Sequence, residues 1–167
     1  ENAGFASQIP QQIFIGGWRE GTSDRVLEDR NPFDDSLIAS IRQASQADVD
    51  EAYALAEEAQ KEWAAKTPAE RSAVLSRAAD YFEANREEMA RMLSAESGSS
   101  VIKAGKELGL AIAATREAAT FPTRVHGLIM PSNTPGKENR IYREPVGVVG
   151  VISPWNFPLI LSQRSVA

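Results

Sequence analysis

Pro145-Val-Gly-Val-Val-Gly-Val-Ile-Ser-Pro-Trp155, continued by Asn156-Phe157-Pro158-Leu159, decides how this chain is read. Val146 to Ile152 is an unbroken apolar run, too short for a membrane span and rich in β-branched residues. It predicts a strand buried on both faces. The run stops at Ser153-Pro154, and Pro158 falls where the first turn of a following helix accepts proline. One carboxamide, Asn156, is thereby delivered to the carboxyl end of a buried parallel strand. Open α/β sheets place their ligands and chemistry there, so the expected fold class is α/β.

Composition bounds the partners. The chain has 167 residues, 43% of them hydrophobic, which suits a globular domain. Its 18 basic and 23 acidic residues give a net charge of −5, which argues against a general nucleic-acid binder. The charge is uneven: residues 1–97 hold 10 Lys/Arg against 19 Asp/Glu, and residues 98–167 hold 8 against 4. The acidic half reads as solvated helix faces. No run approaches the roughly 20 apolar residues of a membrane helix, and no charged-then-apolar leader opens the chain. Cysteine is absent, which removes any disulfide framework and fits a cytoplasmic protein.

Residues 1–10 read as a mobile arm. Ile13-Phe14-Ile15, Gly16-Gly17 and Trp18 predict a strand meeting a tight hairpin turn. Asn31-Pro32 signals a second turn, and Ser36 to Arg42 another strand. Ser45-Gln-Ala-Asp48 has capping-box spacing before a helix carrying Val49, Tyr53 and Trp63. Thr67-Pro68-Ala69-Glu70 starts a second helix, with cap, proline and acid in order. A third carries Met89, Met92 and Leu93 up to Gly98. A long helix from about Val101 to Ala119 follows, with Ile102, Gly105, Leu108 and Ile112 in line. Gly105 and Gly109 are expected to permit close packing against a neighbour. Residues 126–139 read as turns, and Glu138 to Arg143 as a strand.

Several residues have two readings. Asn156 either bonds its own backbone in a turn before a proline or offers a held N–H to developing negative charge. Ile152, Ser153, Pro154 and Trp155 are either the end of a core strand or a main-chain wall. Phe157, Ile160, Leu161 and Arg164 fall at helical spacing, where an apolar face toward a core is the ordinary use. Gly147 and Gly150 are not a dinucleotide fingerprint and are read as sites of close backbone approach. The lone His126 has no second ligand nearby, so no metal site is expected. Ser72, Ser153 and Ser162 lack His–Asp company, which sets hydrolase chemistry aside.

Glu144-Pro-Val-Gly-Val-Val-Gly-Val-Ile-Ser-Pro-Trp-Asn-Phe-Pro-Leu159 resembles the signature of the NAD(P)-dependent aldehyde dehydrogenases, and the resemblance extends over essentially the whole chain. It implies the N-terminal part of that fold. Residues 1–123 would be an arm and the helical part of a Rossmann-like cofactor-binding domain. Residues 124–145 would be strands of a bridging sheet that joins subunits into a homodimer or homotetramer. Residues 146–167 would be the first buried strand and the start of its helix. The resemblance also implies an NAD or NADP cofactor and a small aldehyde substrate.

In that family a cysteine thiolate attacks the aldehyde. The resemblance makes Asn156 the side-chain donor to the resulting oxyanion, with the cysteine's own backbone N–H as the second donor. Ile152, Ser153, Pro154 and Trp155 would lie beside the cofactor. Phe157, Ile160, Leu161 and Arg164 would line the substrate tunnel, Arg164 either meeting a polar ring substituent at its mouth or, the favoured reading, pairing with a carboxylate from outside these residues. The nucleophile, the general base and the glycine turn would lie beyond Ala167, so the chain is expected to be a piece of a longer enzyme. If it were complete, it would be a non-catalytic binding or assembly module. Glu96-Ser-Gly-Ser-Ser100 with Lys103, and Pro135-Gly-Lys-Glu-Asn-Arg-Ile-Tyr142, resemble the benzaldehyde and vanillin dehydrogenase branch. Both motifs are expected to lie remote from the tunnel.

Overall fold

The computed structural model describes residues 12–167; the arm expected over residues 1–10 lies outside them. Three antiparallel two-stranded sheets and five α-helices are present among the described residues. β1 (Ile13–Phe14) and β2 (Trp18–Arg19) form the expected hairpin, turning at Gly16 with φ +66°. β3 (Val26–Arg30) pairs with β4 (Leu37–Arg42), Val26 facing Arg42 and Leu27 facing Ile41. β3 was not read in the sequence. Its Glu-Asp-Arg end breaks the apolar alternation, and pairing with β4 overrides that local signal.

The helices begin where their caps lie. α1 (Gln46–Ala65) is capped by Ser45 in a complete capping box with Asp48. Asp48 also accepts the Thr22 N–H at 2.8 Å and the Thr22 hydroxyl at 2.7 Å, and pairs with Arg19 at 3.2 Å. One buried carboxylate thus ties the first hairpin to the start of α1. α2 (Pro68–Ala84) has the Thr67–Glu70 box with proline in its first turn. α3 (Arg86–Ser97) ends at Gly98, whose φ of +64° only glycine adopts without strain. α4 (Val101–Ala118) is capped by Ser100.

α4 is the hub. α2, α3 and the C-terminal helix α5 (Pro158–Val166) all pack on it. Its buried stripe runs Ala104, Glu107, Leu108, Ala111, Ile112, Thr115 and Ala118, so one face recurs every three or four residues. The small residues let neighbouring helices close on it. Ile102 does not share that face and is exposed. Gly105 is also not the close-packing site expected, since a Cβ there would meet nothing within 4 Å. At Gly109 a Cβ would touch only the Arg86 guanidinium.

Two expectations over residues 126–152 are corrected. Leu128–Pro131 is a strand, β5, rather than part of a turn-rich stretch. It pairs with β6 (Glu138–Ile141) in register Leu128 to Ile141 and Pro131 to Glu138. The tight turn at Pro135-Gly136 brings the two together, and strand pairing outweighs the weak local propensity of a run ending in proline. β6 is also shorter than the strand expected to reach Arg143.

The second correction concerns Val146–Ile152, which forms no strand and is not buried: Val146 is 92% exposed and Ile152 98%. A strand needs a hydrogen-bonding neighbour, and among the described residues none runs beside it. The segment lies against α1 instead. A Cβ at Gly150 would collide with the Tyr53 hydroxyl, so glycine is what admits this approach.

Candidate active-site turn

The turn from Ser153 to Phe157 is held from two sides. Behind it, α5 starts at Pro158 with Phe157 in the cap position, and no local side chain caps it. The orphan N–H groups of its first turn are met from elsewhere in the chain. Glu107 Oε1 accepts from Leu159 N at 2.8 Å and lies 3.4 Å from Ile160 N, across 52 and 53 residues of sequence. Glu107 is fully buried on the α4 stripe.

Its other oxygen, Oε2, accepts from Lys103 Nζ at 3.1 Å. Lys103 Nζ also donates to Ser99 Oγ at 2.6 Å and lies 4.4 Å from the Phe157 ring centroid. Ser99 Oγ in turn meets Ser97 Oγ at 2.7 Å. A polar chain therefore runs from the end of α3 through one face of α4 to the start of α5. In front of the turn, Ser162 Oγ donates to the Pro158 carbonyl at 2.6 Å and lies 2.7 Å from Ser153 Oγ.

The structure brings some of the sequence-identified residues together and separates others. Asn156 and Trp155 are exposed on the turn, and Pro154 beside them is exposed as well. Ser153, Phe157, Ile160 and Leu161 are half-buried, consistent with α5 lying on α4. Arg164 is exposed on the outer side of α5 and forms no ion pair among the described residues. The Ser99–Lys103 motif is not remote from the turn, because Lys103 touches the ring of Phe157. That correction follows from helix docking. α5 packs on α4 across a long stretch of intervening sequence, which no local pattern specifies.

Glu107 was missed in the sequence. A signal was present, since it is the one carboxylate on the stripe, three residues after Ala104, four before Ala111 and next to Leu108. A buried charge needs partners, and here it has three donors. No group of three or more His, Cys, Asp or Glu residues is placed to hold a metal ion among the described residues. The Nδ1 of His126 faces the Arg124 carbonyl of its own turn at 2.7 Å. No helix among the described residues is long and apolar enough to cross a membrane.

Known proteins bear directly on this arrangement. A vanillin dehydrogenase of Corynebacterium glutamicum is 59% identical over 166 residues, covering 99% of this chain and 34% of that protein. A benzaldehyde dehydrogenase of Bacillus subtilis is 49% identical over 155 residues, covering 92% of this chain and 32% of that protein. The crystal structure of an NAD-dependent benzaldehyde dehydrogenase from Corynebacterium glutamicum superposes with a TM-score of 0.89 at 57% identity, over 95% of this chain and 35% of that one. The chain thus spans about a third of the length of the relatives it matches. Residues 18–167 match the profile of the aldehyde dehydrogenase family, and with the relatives above this places the chain in the aldehyde dehydrogenase family, over the N-terminal third of its members' length.

Proposed function

We propose that the protein containing this chain oxidises an aromatic aldehyde to the carboxylic acid with NAD or NADP. The reading is carried by the 59% identity to a vanillin dehydrogenase over 166 residues, 99% of this chain. In this reading a cysteine outside these residues supplies the thiolate. Addition to the aldehyde builds negative charge on oxygen, and the Asn156 carboxamide N–H is the donor aimed at it. Its exposure, on a turn anchored at both ends, supports that role.

The nicotinamide cofactor would accept hydride from the substrate carbon. The residues present fit such a partner. Ser153 to Trp155 lie outside every strand and helix, and the Ile152 and Trp155 side chains stand 98% and 85% exposed. These four residues form one wall of the cofactor cleft in this reading, and Val146–Ile152 becomes a sheet strand in the whole enzyme. Phe157, Ile160, Leu161 and Arg164 line the aldehyde's approach along α5.

Assembly into a homodimer or homotetramer through β5–β6 belongs to the same reading, as does a cytoplasmic location. The exposed Leu128, Ile129, Met130 and Ile141 side chains support the first. A non-catalytic assembly module is the competing reading, favoured by that same exposed hairpin. The test is turnover by the whole protein with vanillin, benzaldehyde and an aliphatic aldehyde of similar size, each with NAD and NADP. Higher kcat/KM for the aromatic pair is expected. Absence of turnover with every aldehyde would leave the assembly reading standing.

A further inference from the structure

We propose that Glu107 is a positioning residue for Asn156, acting through the first turn of α5. The inference rests on the assignment of Asn156 given above. α5 opens with backbone N–H groups that have no acceptor inside the helix. Its cap position is Phe157, which has no oxygen to offer. Asn156, one residue earlier, is a residue type that commonly caps helices. No side-chain cap bond forms here, so its carboxamide is not spent on the helix.

Glu107 supplies the missing acceptor from the neighbouring helix. Its Oε1 takes the Leu159 N–H at 2.8 Å, three residues beyond Asn156. A carboxylate at a helix N-terminus also meets the positive end of the helix dipole. The carboxylate is itself immobilised, being fully buried and held at 3.1 Å by Lys103, whose ammonium covers the Phe157 ring. On the other side the Ser153–Ser162 bond at 2.7 Å fixes the chain entering the turn. Asn156 therefore sits on a short arc clamped at both ends, with Glu107 as the longer-range clamp. A residue that sets geometry in this way matters to rate more than to cofactor binding, since small misplacements of a reacting group are costly.

A double-mutant cycle in the whole enzyme tests this, with kcat expressed per titrated active-site thiol. Glu107→Ala is expected to lower kcat by about tenfold or more, with KM for the cofactor unchanged. Glu107→Gln keeps an acceptor oxygen and is expected to restore most of that loss. In an Asn156→Ala background, Glu107→Ala should cost little more, because both changes remove one function. If the two losses multiply, or if Glu107→Ala turns over like the unaltered enzyme, the inference is overturned. If Asn156→Ala alone is fully active, the donor assignment fails and the inference falls with it, an outcome read separately from the Glu107 arm. Should Glu107→Ala give no soluble enzyme, Glu107→Asp, one methylene shorter, takes its place in the cycle with the same two outcomes.

Discussion

The ammonium of Lys103 lies 4.4 Å from the centroid of the Phe157 ring, joining two residues that sequence separates by more than fifty positions. The same nitrogen neutralises a carboxylate that is fully buried. Lys103→Met keeps the aliphatic stem and removes the charge. It leaves Glu107 Oε2 short of a donor and is expected to destabilise the whole protein by about 1–3 kcal/mol in urea unfolding. A loss below about 0.5 kcal/mol would mean that water replaces the ammonium at this partly exposed site.

Asn156→Ala removes the donor proposed for the oxyanion. We expect kcat to fall on the order of 10²–10³ while cofactor affinity holds. Steady-state kinetics within about threefold of the unaltered enzyme would end the catalytic assignment.

Arg164→Leu separates two uses of a charge on the outer side of α5. A structural partner should affect every aldehyde alike, and that is the expected pattern. A change of about tenfold or more in the kcat/KM ratio of vanillin to benzaldehyde would instead assign Arg164 to substrate selection.

Asp48 makes the fold sensitive to acid. The backbone N–H groups of Ser45 and Thr22, with the Thr22 hydroxyl, hold its carboxyl well below the ordinary value of 3.8. The folded state therefore releases this proton more readily than the unfolded chain does. The stability it contributes is present above about pH 4 and lost as pH falls below that. Asp48→Asn should weaken the protein at neutral pH and flatten the acid limb of its stability curve. Equal slopes for both proteins in an unfolding series from pH 6 to about pH 3 would contradict the assignment.

Ile129→Lys places a charge on the exposed apolar side of β5. If β5–β6 joins subunits, light scattering should show the whole enzyme shifting to a smaller species. An unchanged mass at micromolar concentration would place the subunit contact elsewhere.

What the sequence made legible were features written locally. Ser45–Asp48 and Thr67–Glu70 announced helix starts, Gly98 an end and Gly16-Gly17 a hairpin, because each depends on residues within one turn of chain. β5 and β3 were missed because a two-stranded ribbon draws its stability from the partner strand, and neither Leu128–Pro131 nor Val26–Arg30 alternates cleanly. The apolar run Val146–Ile152 predicted a buried strand and is neither strand nor buried here, because a strand exists only where another strand pairs with it. At the candidate site, the Pro-Trp-Asn-Phe-Pro wording was readable at once. The clamp by Ser99, Lys103 and Glu107 was not, because it arises from α5 docking on α4.

That docking also fixes a sequence of events during synthesis. α4 leaves the ribosome some forty residues before α5, carrying a carboxylate on a face otherwise made of alanine, leucine, isoleucine and one threonine. Until Leu159 and Ile160 arrive, Glu107 has Lys103 alone among its three donors, and its face remains hydrated. The helical hub is then finished only when α5 has emerged and docked on α4. A ribosome-stalled series in which α4 gains protection from proteolysis only after about residue 160 has emerged would record that order of assembly.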